Sequence, residues 1–247
     1  MSLFSDIAVV LRRLDYSETS QVLVLLTREH GQQRIIAKGV KRATKTRASV
    51  GIDLLEVGRL VFSRRPGKEE TLATLTEWRQ EETFPHLRTD LVRNYAAQYA
   101  AEVTSHLMEV HDPHPELFDG LRKFFRALKD GPAIGLLARY LWFMLTQIGL
   151  RPELSRCMGC GRSVEKDATV YFSSHQGGAI CRDCEPAIVE KRRMSVALAR
   201  ALGVIGSPHP LDDTKLAREA FDLLDYHLTE LLARPPKLSG PLRAALK

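Results

Sequence analysis

Two matched pairs, Cys157-Met-Gly-Cys160 and Cys181-Arg-Asp-Cys184, contain all four cysteines of the chain and stand twenty residues apart. A C-x2-C knuckle presents two thiolates to one ion, and a second knuckle roughly fifteen to twenty residues on completes a tetrahedral set of the kind zinc prefers. With every corner filled by protein, no position remains for water or substrate. The expected cofactor is therefore one structural Zn2+ held by Cys157, Cys160, Cys181 and Cys184. Two disulfides are the competing reading, but they suit an oxidising compartment, and Met1–Asp6 lacks the basic and apolar regions of a signal peptide. A redox function needs only one pair, generally at a helix N-terminus. Gly159 and Gly161 allow the tight turns of a zinc ribbon, and Asp167–Ser173 and Ala179–Ile180 read as its short strands. Such ribbons brace enzymes and nucleic-acid-binding proteins alike, so the module alone leaves the function open.

No second constellation points to catalysis. The chain has no G-x-x-x-x-G-K-[ST], no G-x-G-x-x-G, no G-x-S-x-G and no H-E-x-x-H. No carboxylate cluster resembles a nuclease metal site. His106, His111 and His114 are close in sequence, but Pro113 and Pro115 break the helix that would align them. The expectation is a protein that is not an enzyme.

At 247 residues, 44% hydrophobic and 27% charged, the composition is that of a soluble protein with room for two or three units. The most apolar stretch, Ile134–Leu150, carries Arg139 and Gln147, is short for a bilayer span and reads as a buried helix. A reducing, cytoplasmic location is expected. Ile7–Leu14, Gln21–Thr27, Gln32–Ala37, Leu54–Ser63 and Leu72–Trp78 read as strands, with a longer insert, Lys38–Asp53, after the third. Five short strands with that insert suggest a closed barrel of the OB type, with an SH3-like barrel as the alternative. The period changes near Glu81. Leu87–Val110, Glu116–Lys129, Pro132–Leu150, Ser195–Ile205 and Thr214–Leu232 read as helices, and Lys237–Lys247 as a partly mobile tail. The expected fold class is α+β and multidomain: an N-terminal five-stranded OB-type β-barrel (1–80), an α-helical domain (81–150 and 191–247) and a four-cysteine zinc ribbon (151–190) set into it.

The net charge is +6, and residues 1–80 hold fourteen Lys/Arg against nine Asp/Glu. Most of the excess thus lies in the barrel, which favours an anionic partner such as nucleic acid. Lys38, Lys41, Arg42, Lys45 and Arg47 sit in one acid-free run. Arg64, Arg65 and Lys68 mark a second turn, and Arg12 and Arg13 end the first strand. These ten are the candidate DNA contacts, because flexible cations neutralise phosphates without sequence preference. Phe62, Trp78 and Tyr16 are candidates for stacking on bases, with a core or rim position as the other account. Arg122, Lys123, Arg126 and Lys129 share one helical face, and Lys191-Arg192-Arg193 follows the second knuckle. Either cluster extends a DNA track or is a solvated surface.

The chain resembles the RecO family of bacterial recombination and repair mediators. The resemblance rests on Arg12-Arg-Leu-Asp-Tyr-Ser-Glu-Thr19, Leu26-Thr-Arg-Glu-His-Gly31, Ala37-Lys-Gly-Val-Lys-Arg42 and the two knuckles after Gly149-Leu-Arg-Pro-Glu-Leu154. It implies an OB domain, a helical body and an inserted zinc module, and a cytoplasmic, nucleoid-associated protein. It further implies binding of single- and double-stranded DNA and annealing of complementary strands without ATP. The implied partners are RecR, and through it RecA and single-strand-binding protein. A different class of function, a zinc-ribbon interaction subunit of an RNA or transcription assembly, is equally compatible with the cysteines alone.

Overall fold

The computed structural model describes residues 2–42, 51–64, 67, 71–165, 167, 169–203 and 211–246. The chain divides into two compact units, Met1–Arg126 and Ala127–Lys247.

The first unit is built on a closed five-stranded barrel: β1 (Ser2–Asp15), β2 (Gln21–Thr27), β3 (Gly31–Ala37), β4 (Val57–Arg64) and β5 (Ala73–Glu82), in the order β1-β2-β3-β5-β4. This is the OB arrangement expected from sequence. β1 closes it by pairing with β4 along Ser2–Val9 and with β2 along Ala8–Asp15, while β3 and β5 meet in parallel at Ile35–Ala73 and Ile36–Thr74. Ala8, Val10, Leu23, Leu25, Ile35, Ala37, Leu60 and Phe62 fill the interior. The strand period governs this sorting, since residues i and i+2 share a face. One bulge breaks the period in β1. Val10 pairs with Leu25 inside the barrel, but Arg12 pairs with Val24 on the outer face, so Leu11 is the extra residue. The amide of Val10 donates to the Glu56 carbonyl and its own carbonyl accepts from the Leu55 amide, at 2.9 and 3.0 Å, which holds the bulge. The insert after β3 returns to the barrel at Ile52, which is fully buried and whose amide donates to Gln21 Oε1 at 3.0 Å.

Three helices complete this unit: α1 (His86–Thr89), α2 (Leu91–Leu107) and α3 (Pro115–Ala127). Sequence periodicity predicts one helix from Leu87 to Val110. The chain instead breaks at Asp90, whose backbone is extended and whose side chain accepts from the Arg93 amide at 2.9 Å, capping a new start. The turn after α2 packs on the barrel. His111 donates its amide to the Gln32 carbonyl at 3.1 Å, and Gly31 comes so close that a Cβ there would lie 2.3 Å from the Asp112 oxygen. With φ at +66°, that position is one for glycine on both counts.

The second unit holds the helices α4 (Ala133–Gln147), α5 (Val196–Gly203), α6 (Thr214–Leu232) and α7 (Ser239–Ala245) and a small sheet of β6 (Val170–Ser173), β7 (Gly178–Cys181) and β8 (Arg192–Met194), ordered β7-β6-β8. Asp213 caps α6 by accepting from the amides of Lys215 and Leu216. The tail expected to be mobile is ordered as α7: Leu242 is buried, and Arg243 pairs with Asp222 and, at 2.8 Å, with Asp225. Local sequence held no sign of α7, because its partners lie a helix away. Among the described residues, no helix is long and apolar enough to cross a membrane.

α6 is tied to the sheet through His227. Its Nε2 faces the Leu150 carbonyl at 3.2 Å, so the proton sits there, and Nδ1 accepts from the Ser174 hydroxyl at 2.7 Å. Burial pushes the imidazole below its ordinary value, more than Leu150 and the Glu190 charge restore. Folding therefore excludes a proton that the unfolded chain takes up near pH ~6.5. The resulting stability is complete above that ordinary value and is lost as pH falls through the lowered folded one. His227→Gln is expected to flatten this part of the curve. Denaturant midpoints measured from about pH 7.5 to about pH 5 check it; parallel curves for the two proteins would refute it.

Candidate nucleic-acid interface and metal centre

The outer face of β1–β3 is where barrel register and charge combine. Arg12, Val24 and Arg34 form one row across the three strands, and Leu14, Val22 and Ile36 form the next. Lys38 continues the outward parity of β3 beyond Ile36. Arg12, Arg34 and Lys38 are exposed and have no side-chain partner among the described residues. Below them, the outward positions Val9, Leu26 and Gln32 are buried. A cleft of about 510 Å³, lined by Arg12, Val24, Arg34, Met108, Glu109 and Val110 among others, forms where this face meets the turn after α2. Tyr16, 66% exposed, stands in the β1–β2 turn beside this face.

The structure sorts the other candidate cations. Arg13 is bonded to Asp53 at 2.8 Å. Lys41 is ion-paired with Asp15 at 3.2 Å, and that carboxylate is held below its usual range by Gln21 and Lys41. Arg42 is exposed with no side-chain partner among the described residues. Arg64 is half-buried, lies over Phe4 at 5.4 Å and Phe62 at 6.0 Å, and donates to Gln33. Lys45, Arg47, Arg65 and Lys68 lie outside the described residues. Of the stacking candidates, Phe62 is core and Trp78 packs against that core from a half-buried position. Two of the four cations on the α3 face are ion-paired: Arg122 and Arg126 both pair with Glu82, whose carboxylate burial would raise but the two guanidiniums lower. Lys123 and Lys129 are exposed with no ion pair among the described residues. Lys191 is held by Glu185 at 2.5 Å, and Arg192 lies over the Tyr226 ring at 4.9 Å, whereas Arg193 is exposed.

Arg34 was not among the candidates from sequence. It stands alone between Gln33 and Ile35, outside any charge run. The signal was the strand alternation itself: Arg34 shares parity with Ile36 and Lys38, opposite to core Ile35 and Ala37.

The cysteines converge as their spacing requires. All four Sγ atoms lie within 4.8 Å of one another. None is in a disulfide. Cys160 and Cys181 sulfurs are 3.8 Å apart, which matches the edge of about 3.8 Å of a tetrahedron with metal–sulfur bonds of about 2.3 Å. Cys181 ends β7, and its amide donates to Cys157 Sγ at 3.3 Å. Burial opposes ionisation of Cys157, but the amides of Cys181, Cys160 and Gly159 outweigh it and bring the thiol down to about 6. Cys184 is pushed up to about 12 by contact with the Cys181 and Cys160 sulfurs. Sulfurs this crowded resist ionising together, and a bound cation would remove that resistance. A Cβ on Gly159 would come within 3.1 Å of Cys184 Sγ, so the knuckle is closed tightly around the set. The donors and their geometry fit one tetrahedral metal ion with no open corner.

Comparison with known proteins places the chain in a family. The model described as Recombination protein O N terminal matches residues 1–84, and that described as Recombination protein O C terminal matches residues 88–239. The chain belongs to the recombination protein O family. A DNA repair protein RecO of Anaeromyxobacter sp. (strain Fw109-5) is 33% identical over 95% of each chain. One from Bacillus pumilus (strain SAFR-032) is 31% identical over 78% of this chain and 73% of its own. One from Roseiflexus sp. (strain RS-1) is 33% identical over 96% of this chain and 72% of its own. The family's role is DNA repair and recombination, and the resemblance noted in the RecO motifs is thereby established as kinship.

In this RecO-family chain the cysteine set adjoins a sheet whose strands are four, four and three residues long. Cys157→Ser is expected to abolish stoichiometric metal binding and to cost about 4 kcal/mol or more of stability. Metal content by mass spectrometry and thermal melting check this, and chelation of the native protein should have the same effect. Retained metal with unchanged melting would sink the assignment.

Proposed function

We propose that this protein is a non-catalytic mediator of DNA recombination and repair. In this reading it binds single- and double-stranded DNA and anneals complementary strands without ATP. With RecR it helps RecA load onto DNA covered by single-strand-binding protein. It works in the cytoplasm, and its four-cysteine centre holds one structural Zn2+. The observation that carries the DNA-binding part is the outer face of β1–β3, where Arg12, Arg34 and Lys38 flank aliphatic strand rows that hold no acid, the one carboxylate of the adjoining cleft being Glu109 from the turn after α2. OB barrels use this face and its bordering loops to bind oligonucleotides. The family supplies the RecR and RecA parts.

Annealing needs two polyanions to meet. Cations on one surface lower their repulsion, and counterions released from phosphate drive the binding. No nucleotide hydrolysis is needed for that, which agrees with a sequence that has no P-loop. Arg12, Arg34 and Lys38 are the first residues for this role, followed by Arg42.

The test is strand annealing by the full chain, without ATP, over a salt series. Arg12→Glu combined with Arg34→Glu should slow annealing and weaken single-strand binding. Each phosphate contact on a single strand contributes about 0.7 to the slope of log K against log salt, so losing two should lower it by about 1.4. An unchanged slope with intact folding would take the strand off this face. Absence of DNA binding by the native chain would favour a zinc-ribbon interaction protein instead.

A further inference from the structure

The β1–β3 face is short of one component of many single-strand-binding surfaces. Aromatic platforms on which successive bases stack strengthen binding by about tenfold per base, and they turn the bases toward the protein. Residues 1–84 contain five aromatic side chains: Phe4, Tyr16, Phe62, Trp78 and Phe84. Phe62 and Phe84 are buried, and Phe4 and Trp78 pack against the barrel core. Tyr16 alone is exposed, and it lies in the β1–β2 turn, off the strand rows. The outward rows between the cations are aliphatic: Val24 between Arg12 and Arg34, then Leu14, Val22 and Ile36. Small branched side chains offer a base little flat surface.

Binding on this face must then come mainly from phosphate. We propose that the face holds a single strand by its phosphates with the bases turned outward, so that their Watson–Crick edges stay free to pair while the strand is bound. This rests on the DNA-binding reading above and adds the orientation of the strand to it. It also gives annealing a physical cause. A strand whose bases are stacked into the protein must be released before it can pair. A strand held by phosphates needs no such step, and the same cations screen the approach of its complement.

Two measurements on the full chain test this. Dimethyl sulfate methylates adenine N1 and cytosine N3 only where the pairing edge is open. On an oligonucleotide saturated with the native protein at low salt, reactivity should match that of the free strand. Second, a platform can be supplied. Leu14→Trp replaces a side chain that is already 64% exposed, so folding is not at risk, and Val24→Trp, at a half-buried position, places the ring between the two arginines. Both should bind single strands about tenfold more tightly and yet anneal them more slowly. Protected edges under the native protein overturn the proposal, as do folded variants that leave affinity unchanged or that bind more tightly and anneal at least as fast. In each of those cases DNA binding itself still stands. Failure of the native chain to bind DNA in the same titration would remove the functional reading beneath it.

Discussion

Closure of the barrel by β1 is the constraint on which the proposed interface depends. This single strand of fourteen residues gives its first half to β4 and its second half to β2. A strand that serves two neighbours around a barrel must bend, and the extra residue at Leu11 supplies the bend. The bulge also inverts the side-chain parity beyond it. Without it, Arg12 would follow Val10 into the core and Arg13 would face outward. With it, Arg12 and Leu14 stand on the surface beside Val24 and Val22, and Arg13 turns to Asp53. The same backbone irregularity that lets the barrel close therefore places the first cation of the outer row.

Charge segregation on that frame is the second feature. The cations that the chain uses up are those with an acid within reach: Arg13 with Asp53, Arg28 with Asp119, Lys41 with Asp15, Arg122 and Arg126 with Glu82. Exposed pairs of this kind contribute little to stability, at most about 1 kcal/mol each. Their larger effect is to occupy guanidinium and ammonium groups that would otherwise be open to phosphate. The β1–β3 face escapes because the outward positions of its central strand are Val22 and Val24, which provide no carboxylate. Two arginines are thus kept two strands apart, roughly 10 Å across the sheet, with only an aliphatic side chain between them. Their mutual repulsion is modest in water, and an anionic ligand removes it.

The barrel was legible in the sequence because its information is local: alternation, turn residues and the long insert after the third strand. The cysteine centre was legible for the same reason, since two C-x2-C knuckles carry their geometry with them. What sequence left open or missed was decided by distant partners. Phe62 and Trp78 stand open between stacking and a core or rim position until pairing with Phe4 and Leu60 places them against the core. Arg64 reads as a turn cation, but the two phenylalanine rings beside it claim its guanidinium. α7 follows two prolines and was read as a tail, because the acids that hold Arg243 belong to α6. A charge run singles out Lys41, yet Asp15 holds it, whereas isolated Arg34 is exposed on the outer face.

The second unit shows why a metal is suited to its small sheet. Strands of four, four and three residues bury too little apolar surface to hold together alone. Its links run through polar groups. Glu190 accepts from the Ser173 hydroxyl at 2.7 Å and from the amides of Ser174 and His175, and Tyr226 of α6 donates to it as well. Ser174 in turn donates to buried His227. These bonds are directional and mutually dependent, so they need a fixed β6–β7 turn before any of them forms well. Cys181, the last residue of β7, anchors that hairpin to the knuckles, and its amide is already spent on the Cys157 sulfur. A metal ion held by the four cysteines would fix the end of the hairpin from which the Glu190 and His227 bonds extend. Its task there would be structural, since four protein sulfurs fill a tetrahedral set.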